Sequence, residues 1–365
     1  MQTSGTTGLP KMAIRTHRAH MIELSATEDN YADKPYPIRR LICTPIIHAF
    51  PFPQAVFNSL RLGIPTVIAK RFDDTFAQTV NDHQITEIFV APPILLRLAN
   101  SPHLHHLLQS IQFIAFGGCS LTQTLHQQTL AIFAKPSRIV PVYGMTEGGW
   151  FTTFSYPEED HTGSVGRPIP GYEMKVSASS DYSLDVDGVS VGELLALGPH
   201  MMEGYLNDED STKDAFTSEG WLRTGDIGYI NETGKVYLID RAKDLIKVNG
   251  FQVAPAELES ALAQNEDVSE AAVFGVETDI DEHPLACVLR RNKDVTEEMI
   301  IEQLRTRLAG YKVSKCEVWF VDSIPRSPAG KIMKRILKEQ WREKRCVGKP
   351  GWRESGTQPV VGTNP

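Results

Sequence analysis

Short apolar runs alternate with helix-patterned segments through the first two-thirds of this 365-residue chain, and that order leaves few folds open. Arg40-Leu41-Ile42-Cys43, Glu87-Ile88-Phe89-Val90-Ala91 and Gln112-Phe113-Ile114-Ala115-Phe116 read as buried strands, the last closed by Gly117-Gly118. A helical pattern at 93–99 lies between two of them. Strands of this kind separated by helices imply βαβ units and an α/β sheet covered on both faces. From about 163 to 240 the pattern shifts to short strands between Gly-, Pro- and Asn-rich turns, which predicts a β-rich subdomain.

A second break follows Asp240. Residues 257–262 begin an amphipathic helix, 270–276 read as a strand, Thr296 can cap a helix over 297–308, and 317–321 read as a further strand. The expected organisation is a large domain over 1–240, its β-rich part at 163–240, a small α+β domain over 241–345, and a disordered Gly- and Pro-rich tail at 346–365.

A formal net charge of −8 argues against non-specific binding to nucleic acid or anionic membranes. The apolar runs are too short for a membrane span, and neither a secretory nor a peroxisomal signal is visible. Five scattered cysteines, none in a Cys-x-x-Cys pair, exclude an obvious zinc site or disulfide framework and fit a cytoplasmic setting.

Five segments carry chemistry. Thr3-Ser4-Gly5-Thr6-Thr7-Gly8-Leu9-Pro10-Lys11 combines glycines, hydroxyls and a cation as a phosphate-holding loop would, although its spacing is not that of a P-loop. Alone it is equally compatible with a surface linker. Tyr143-Gly144-Met145-Thr146-Glu147 follows an apolar strand, the position at which open α/β sheets bind ligands. There Tyr143 could stack on a purine, Thr146 hold a phosphate oxygen and Glu147 help hold Mg²⁺, or Thr146-Glu147 could merely start a helix. Asp226, after the turn Thr224-Gly225, suits vicinal sugar hydroxyls or a simple turn. Asp240 to Gln252 sits on the second composition break as a charged connector or a hinge bearing functional residues. Lys331 follows Gly330 on a Pro-rich turn from which an ammonium can reach across a cleft.

In order and residue type these segments resemble the motifs of the adenylate-forming (AMP-binding) superfamily, in the branch of 4-coumarate:CoA ligase, acyl-CoA synthetase and luciferase. The resemblance implies that fold: part of a large α/β and β-rich domain followed by a small mobile cap. It implies two half-reactions, in which a carboxylic acid and MgATP give an acyl-adenylate and coenzyme A then gives a thioester. Residue by residue, Thr3, Ser4, Gly5, Thr6, Thr7, Gly8 and Lys11 match the phosphate loop. Tyr143 and Gly144 match the adenine side, Thr146 and Glu147 the α-phosphate and Mg²⁺ contacts, and Asp226 with Arg241 the ribose site. Lys243 falls at the hinge, Lys331 at the adenylation lysine, and Lys247 and Gln252 among residues of the second half-reaction or adenylate binding. His48 resembles a gating histidine between acyl and thiol sites, although in isolation it reads as structural. Phe50, Phe116, Gly117, Gly118, Val142 and Gly149 are the candidate acyl pocket, small and apolar, suiting an aryl or fatty acid.

Family members carry a long segment ahead of the phosphate loop, where this chain has two residues. A strand anchoring the loop is therefore expected to be absent. Two alternatives to a coenzyme A ligase follow: loading of an acyl carrier protein, and a truncated nucleotide-binding remnant without turnover.

Overall fold

A computed structural model describes residues 1–3, 11–27, 34–119, 121–133, 137–177, 185–186, 189–248, 251–277, 282–326 and 332–347. Its centre is a seven-stranded sheet in the order Thr66–Ile68, Arg40–Ile42, Glu87–Val90, Phe113–Gly117, Arg138–Met145, Gly149–Thr153, Arg167–Pro168. The first five strands are parallel and the last two antiparallel. Period-two alternation sends Ile42, Phe89, Phe113, Ala115, Val140 and Val142 into one core. The intervening Leu41, Ile88, Val90, Ile114, Phe116 and Ile139 enter a second core on the opposite face.

That alternation corrects one expectation. Phe116 lies one residue out of phase with Ala115 and Gly117, so it packs on the face away from Val142 and leaves the proposed acyl pocket.

The β-rich region contains a four-stranded antiparallel sheet, ordered Val236–Arg241, Leu222–Ile230, Gly192–Leu197, Glu173–Val176. The turn Ala242–Asp244 leads from it into the hairpin Ile246–Val248 and Phe251–Val253. Beyond stands a three-stranded sheet, Val268–Glu277, Glu282–Arg290 and Glu317–Phe320, with its own cores. The helix Glu297–Arg307 begins at Thr296, whose hydroxyl accepts the Met299 N–H at 3.3 Å.

The helix Lys334–Val347 is absent from the sequence reading, which began a tail at 346. Its charged composition hides an apolar stripe in which Leu337 is fully buried and Trp341 packs on Trp319, ring centroids 5.4 Å apart. The remaining tail, 348–365, lies outside the described residues.

The residues on either side of the proposed phosphate loop are paired within the chain. Ala13–Ile14 pairs antiparallel with Gly204–Tyr205, and Gln2 bridges to Met12. The Thr3 N–H donates to the Lys11 carbonyl at 2.8 Å and the Lys11 N–H to Thr3 Oγ1 at 2.9 Å.

Candidate active site

Tyr143 ends the buried part of the strand Arg138–Met145 at the carboxyl edge of the parallel strands. Its ring is buried, edge-on to Phe151 with centroids 5.6 Å apart, and its hydroxyl donates to Asp226 Oδ2 at 2.8 Å. Asp226 and Arg241 face each other across neighbouring strands, so Arg241 Nε reaches Asp226 Oδ1 at 2.7 Å. The Asp226 N–H donates to Thr224 Oγ1 at 3.1 Å, while that hydroxyl donates to the Leu194 carbonyl at 2.7 Å. Burial, reinforced by the Asp226 charge, pushes the Tyr143 phenol well above its ordinary pKa. It therefore stays a proton donor at any physiological pH.

Four residues beyond Tyr143, Glu147 is buried in the turn between two antiparallel strands and does not start a helix. The Met202 N–H donates to its carbonyl at 2.6 Å, and the Tyr205 hydroxyl donates to its Oε1 at 2.7 Å. Lys11 lies on the same side, with Nζ 5.0 Å from the Tyr205 ring centre and 3.8 Å from Asp208 Oδ2. Lys11 also donates to the Ser211 hydroxyl. Thr146 is half-buried beside Glu147, and Gly144 is paired opposite Trp150.

A Mg²⁺ ion shared with a nucleotide needs few protein ligands, typically one or two carboxylates besides phosphate and water. Among the described residues no cluster of three His, Cys, Asp or Glu gathers, while Glu147 Oε2 has no hydrogen-bond partner. Glu147, with the Thr146 hydroxyl beside it, fits that sparse donor set.

A third group lies next to these two. At Gly117 a Cβ would stand 3.0 Å from both the Phe50 ring and the Val142 carbonyl, so a larger residue would crowd Phe50 at this strand end. Phe50 stacks on Trp150 at 6.2 Å, and the Trp150 indole N–H donates to the Phe50 carbonyl at 3.0 Å. Gly118 follows, partly open. His48 is half-buried in the turn before Phe50, and burial lowers its pKa.

Gly149 belongs to a buried polar cluster that motif reading missed. With φ of +73°, it sits where a Cβ would be 2.2 Å from Glu23 Oε1. Glu23 is fully buried, accepts the Trp150 N–H at 2.9 Å, and pairs with Arg15 Nη2 at 2.9 Å. Arg15 Nη2 also donates to the His200 carbonyl at 3.0 Å. Burial would raise the Glu23 pKa, but the His20 ring, 3.7 Å away, and the Arg15 charge outweigh it and hold the carboxyl below its ordinary value. Burial pushes His200 down to about 4. A Glu within a helix carries no sequence signal that it will be desolvated.

In the small domain, Lys247 and Gln252 are directly paired across the hairpin and so share one face. Lys243 occupies the turn before it, close enough to Asp226 to feel its charge. Ser4, Gly5, Thr6, Thr7, Gly8 and Lys331 lie outside the described residues.

The chain matches the AMP-binding enzyme family over residues 1–206 and the AMP-binding enzyme C-terminal domain over 257–331. It belongs to the AMP-binding enzyme family. Among curated relatives, it is 46% identical to the acyl-CoA ligase M9 of Phoma sp., covering 93% of this chain and 63% of that one. It is 44% identical to the acyl-CoA ligase clz12 of Cochliobolus lunatus, covering 90% of this chain and 96% of that one. Among solved structures, ATP-bound MatB from Rhodopseudomonas palustris superposes with a TM-score of 0.84 at 29% identity, over 94% of this chain and 68% of that one. The chain therefore spans less than two-thirds of the length of the first of these AMP-binding relatives and nearly all of the second.

Proposed function

We propose that this AMP-binding family member activates a carboxylic acid with ATP and passes the acyl group to coenzyme A. The observation that carries the reading is a pair of anchored carboxylates: Asp226 held between Tyr143 and Arg241, and Glu147 held by Tyr205, whose ring also contacts Lys11. The names of the two curated relatives support the reaction class.

In the first half-reaction a carboxylate oxygen of the acid bonds to the α-phosphorus of ATP, and the bond to the β-phosphate oxygen breaks to release pyrophosphate. Asp226 accepts hydrogen bonds from ribose hydroxyls, with Arg241 and Tyr143 fixing its rotamer. Lys11 and the hydroxyls of the loop it closes hold the leaving phosphates. Bound Mg²⁺ supplies neutralisation of phosphate charge. Lys331 meets charge developing on the reacting oxygens, where one well-placed donor is worth roughly 10²–10³-fold in rate. In the second half-reaction the thiolate sulfur bonds to the acyl carbon and AMP leaves, the thiol proton passing to solvent. Lys247 and Gln252 serve this step or hold the adenylate, after rotation about Lys243. His48 gates the route between acid and thiol.

Phe50, Gly117 and Val142 would make a small apolar wall that suits an aryl or fatty acid, with Gly118 at its open end, whereas Gly149 faces the charged Glu23 and Arg15 instead. No described helix is long and apolar enough to cross a membrane.

ATP–pyrophosphate exchange by the purified chain, against pooled aryl and fatty acids, tests the reading. Acid-dependent exchange that disappears in Lys331→Ala, while thioester formation from supplied acyl-adenylate survives, is the expected result. Nucleotide binding without exchange would overturn the ligase reading in favour of a non-catalytic nucleotide binder. Preference for a carrier-protein thiol over coenzyme A would correct the acceptor alone.

A further inference from the structure

We propose that Tyr205 is a positioning residue for Glu147, holding one carboxylate oxygen so that the other faces the divalent cation accompanying ATP. The inference rests on the nucleotide-binding role proposed above. The 2.7 Å hydrogen bond from the Tyr205 hydroxyl occupies Glu147 Oε1. Oε2 has no hydrogen-bond partner among the described residues. A carboxylate tethered in this way presents a single oxygen in a fixed direction, as outer-shell partners of metal ligands commonly arrange.

Tyr205 is itself held from two sides. Its backbone pairs with Ala13 in the ladder that anchors the phosphate-loop segment, and its N–H donates to Thr212 Oγ1 at 2.8 Å. Its ring lies beneath the Lys11 ammonium, which Asp208 and Ser211 hold at the start of the next helix. One side chain thus joins the end of the phosphate loop to the candidate metal carboxylate.

The substitution Tyr205→Phe keeps the ring under Lys11 and removes only the O–H. Mn²⁺ binding, followed by electron paramagnetic resonance in the presence of a non-hydrolysable ATP analogue, is measured for the wild-type chain, Tyr205→Phe, Glu147→Gln and the double variant. Tyr205→Phe is expected to weaken Mn²⁺ binding by about 10-fold, within the range for lost outer-shell partners. Analogue affinity in excess chelator should be unchanged, and Tyr205→Phe should add nothing in the Glu147→Gln background. Unaltered Mn²⁺ affinity in Tyr205→Phe, additive losses in the double variant, or an equal fall in metal-free analogue affinity would each overturn the proposal. A wild-type chain that binds no analogue would instead overturn the nucleotide-binding reading on which it rests.

Discussion

The phenol of Tyr143 donates to Asp226 across 83 residues of sequence, while Arg241 holds the other carboxylate oxygen from the adjacent strand. Both Asp226 oxygens are therefore oriented by the protein. Tyr143→Phe removes one of these restraints and a hydrogen bond to a charged group. The expected cost is about 1.5–3 kcal/mol of stability in urea unfolding. ATP affinity measured by calorimetry should fall less than in Asp226→Ala. Equal stability of Tyr143→Phe and wild type would show that the bond contributes nothing, and equal ATP affinity in all three proteins would remove Asp226 from the nucleotide site.

Arg15 and Glu23 form an ion pair whose side chains are 1% and 0% exposed. Removing one partner of such a pair leaves an unpaired buried charge, so Glu23→Ala is expected to cost about 3–5 kcal/mol. The double substitution Arg15→Met with Glu23→Leu leaves no orphan charge and should cost less than the single change. Chemical denaturation of the three proteins checks this. A double variant less stable than Glu23→Ala would mean that the pair contributes net stability beyond the satisfaction of its own charges.

Acid should loosen the same cluster in two stages. Burial disfavours the His200 cation and lowers its pKa from the ordinary 6.5 to about 4. As pH drops below 6.5, unfolded chains take up a proton that the native state refuses, so stability declines towards pH 4. Glu23 has a depressed pKa, so its contribution is present above its ordinary value of 4.5 and is lost only below it. Between pH 6.5 and 4.5 the His200 part is on the order of 2 kcal/mol. His200→Gln should flatten that stretch of the stability–pH curve; an unchanged slope would show that the titrating group lies elsewhere.

The parallel strands Glu87–Val90 and Phe113–Gly117 were legible because strands covered on both faces are apolar throughout. The helix Glu297–Arg307 was legible because Thr296 announces it. The helix Lys334–Val347 was not, since Leu337 and Trp341 are sparse among charges and their burial depends on Trp319 and its neighbours. Phe116 was misplaced for a related reason: composition identifies a buried residue, but strand phase decides which core receives it.

Among the proposed site residues, Tyr143, Glu147, Asp226 and Arg241 stand out from residue type and order, because the phosphate, ribose and metal chemistry that the resemblance implies requires particular groups. Arg15, Glu23, His200 and Tyr205 could not. Each acts through a partner brought near by folding, as Tyr205 reaches Glu147 across 58 residues.

The sequence by itself determined the chemical inventory and the alternation of strands and helices, since these follow from side-chain chemistry and local periodicity, while its motifs in order resembled one family. Only the tertiary structure decided which groups hold one another. Strand register sets Asp226 opposite Arg241 and Ala13 opposite Tyr205. A slip of one residue would turn each side chain to the other face. That register is fixed by packing and backbone hydrogen bonds over the whole sheet, which no local stretch of sequence contains.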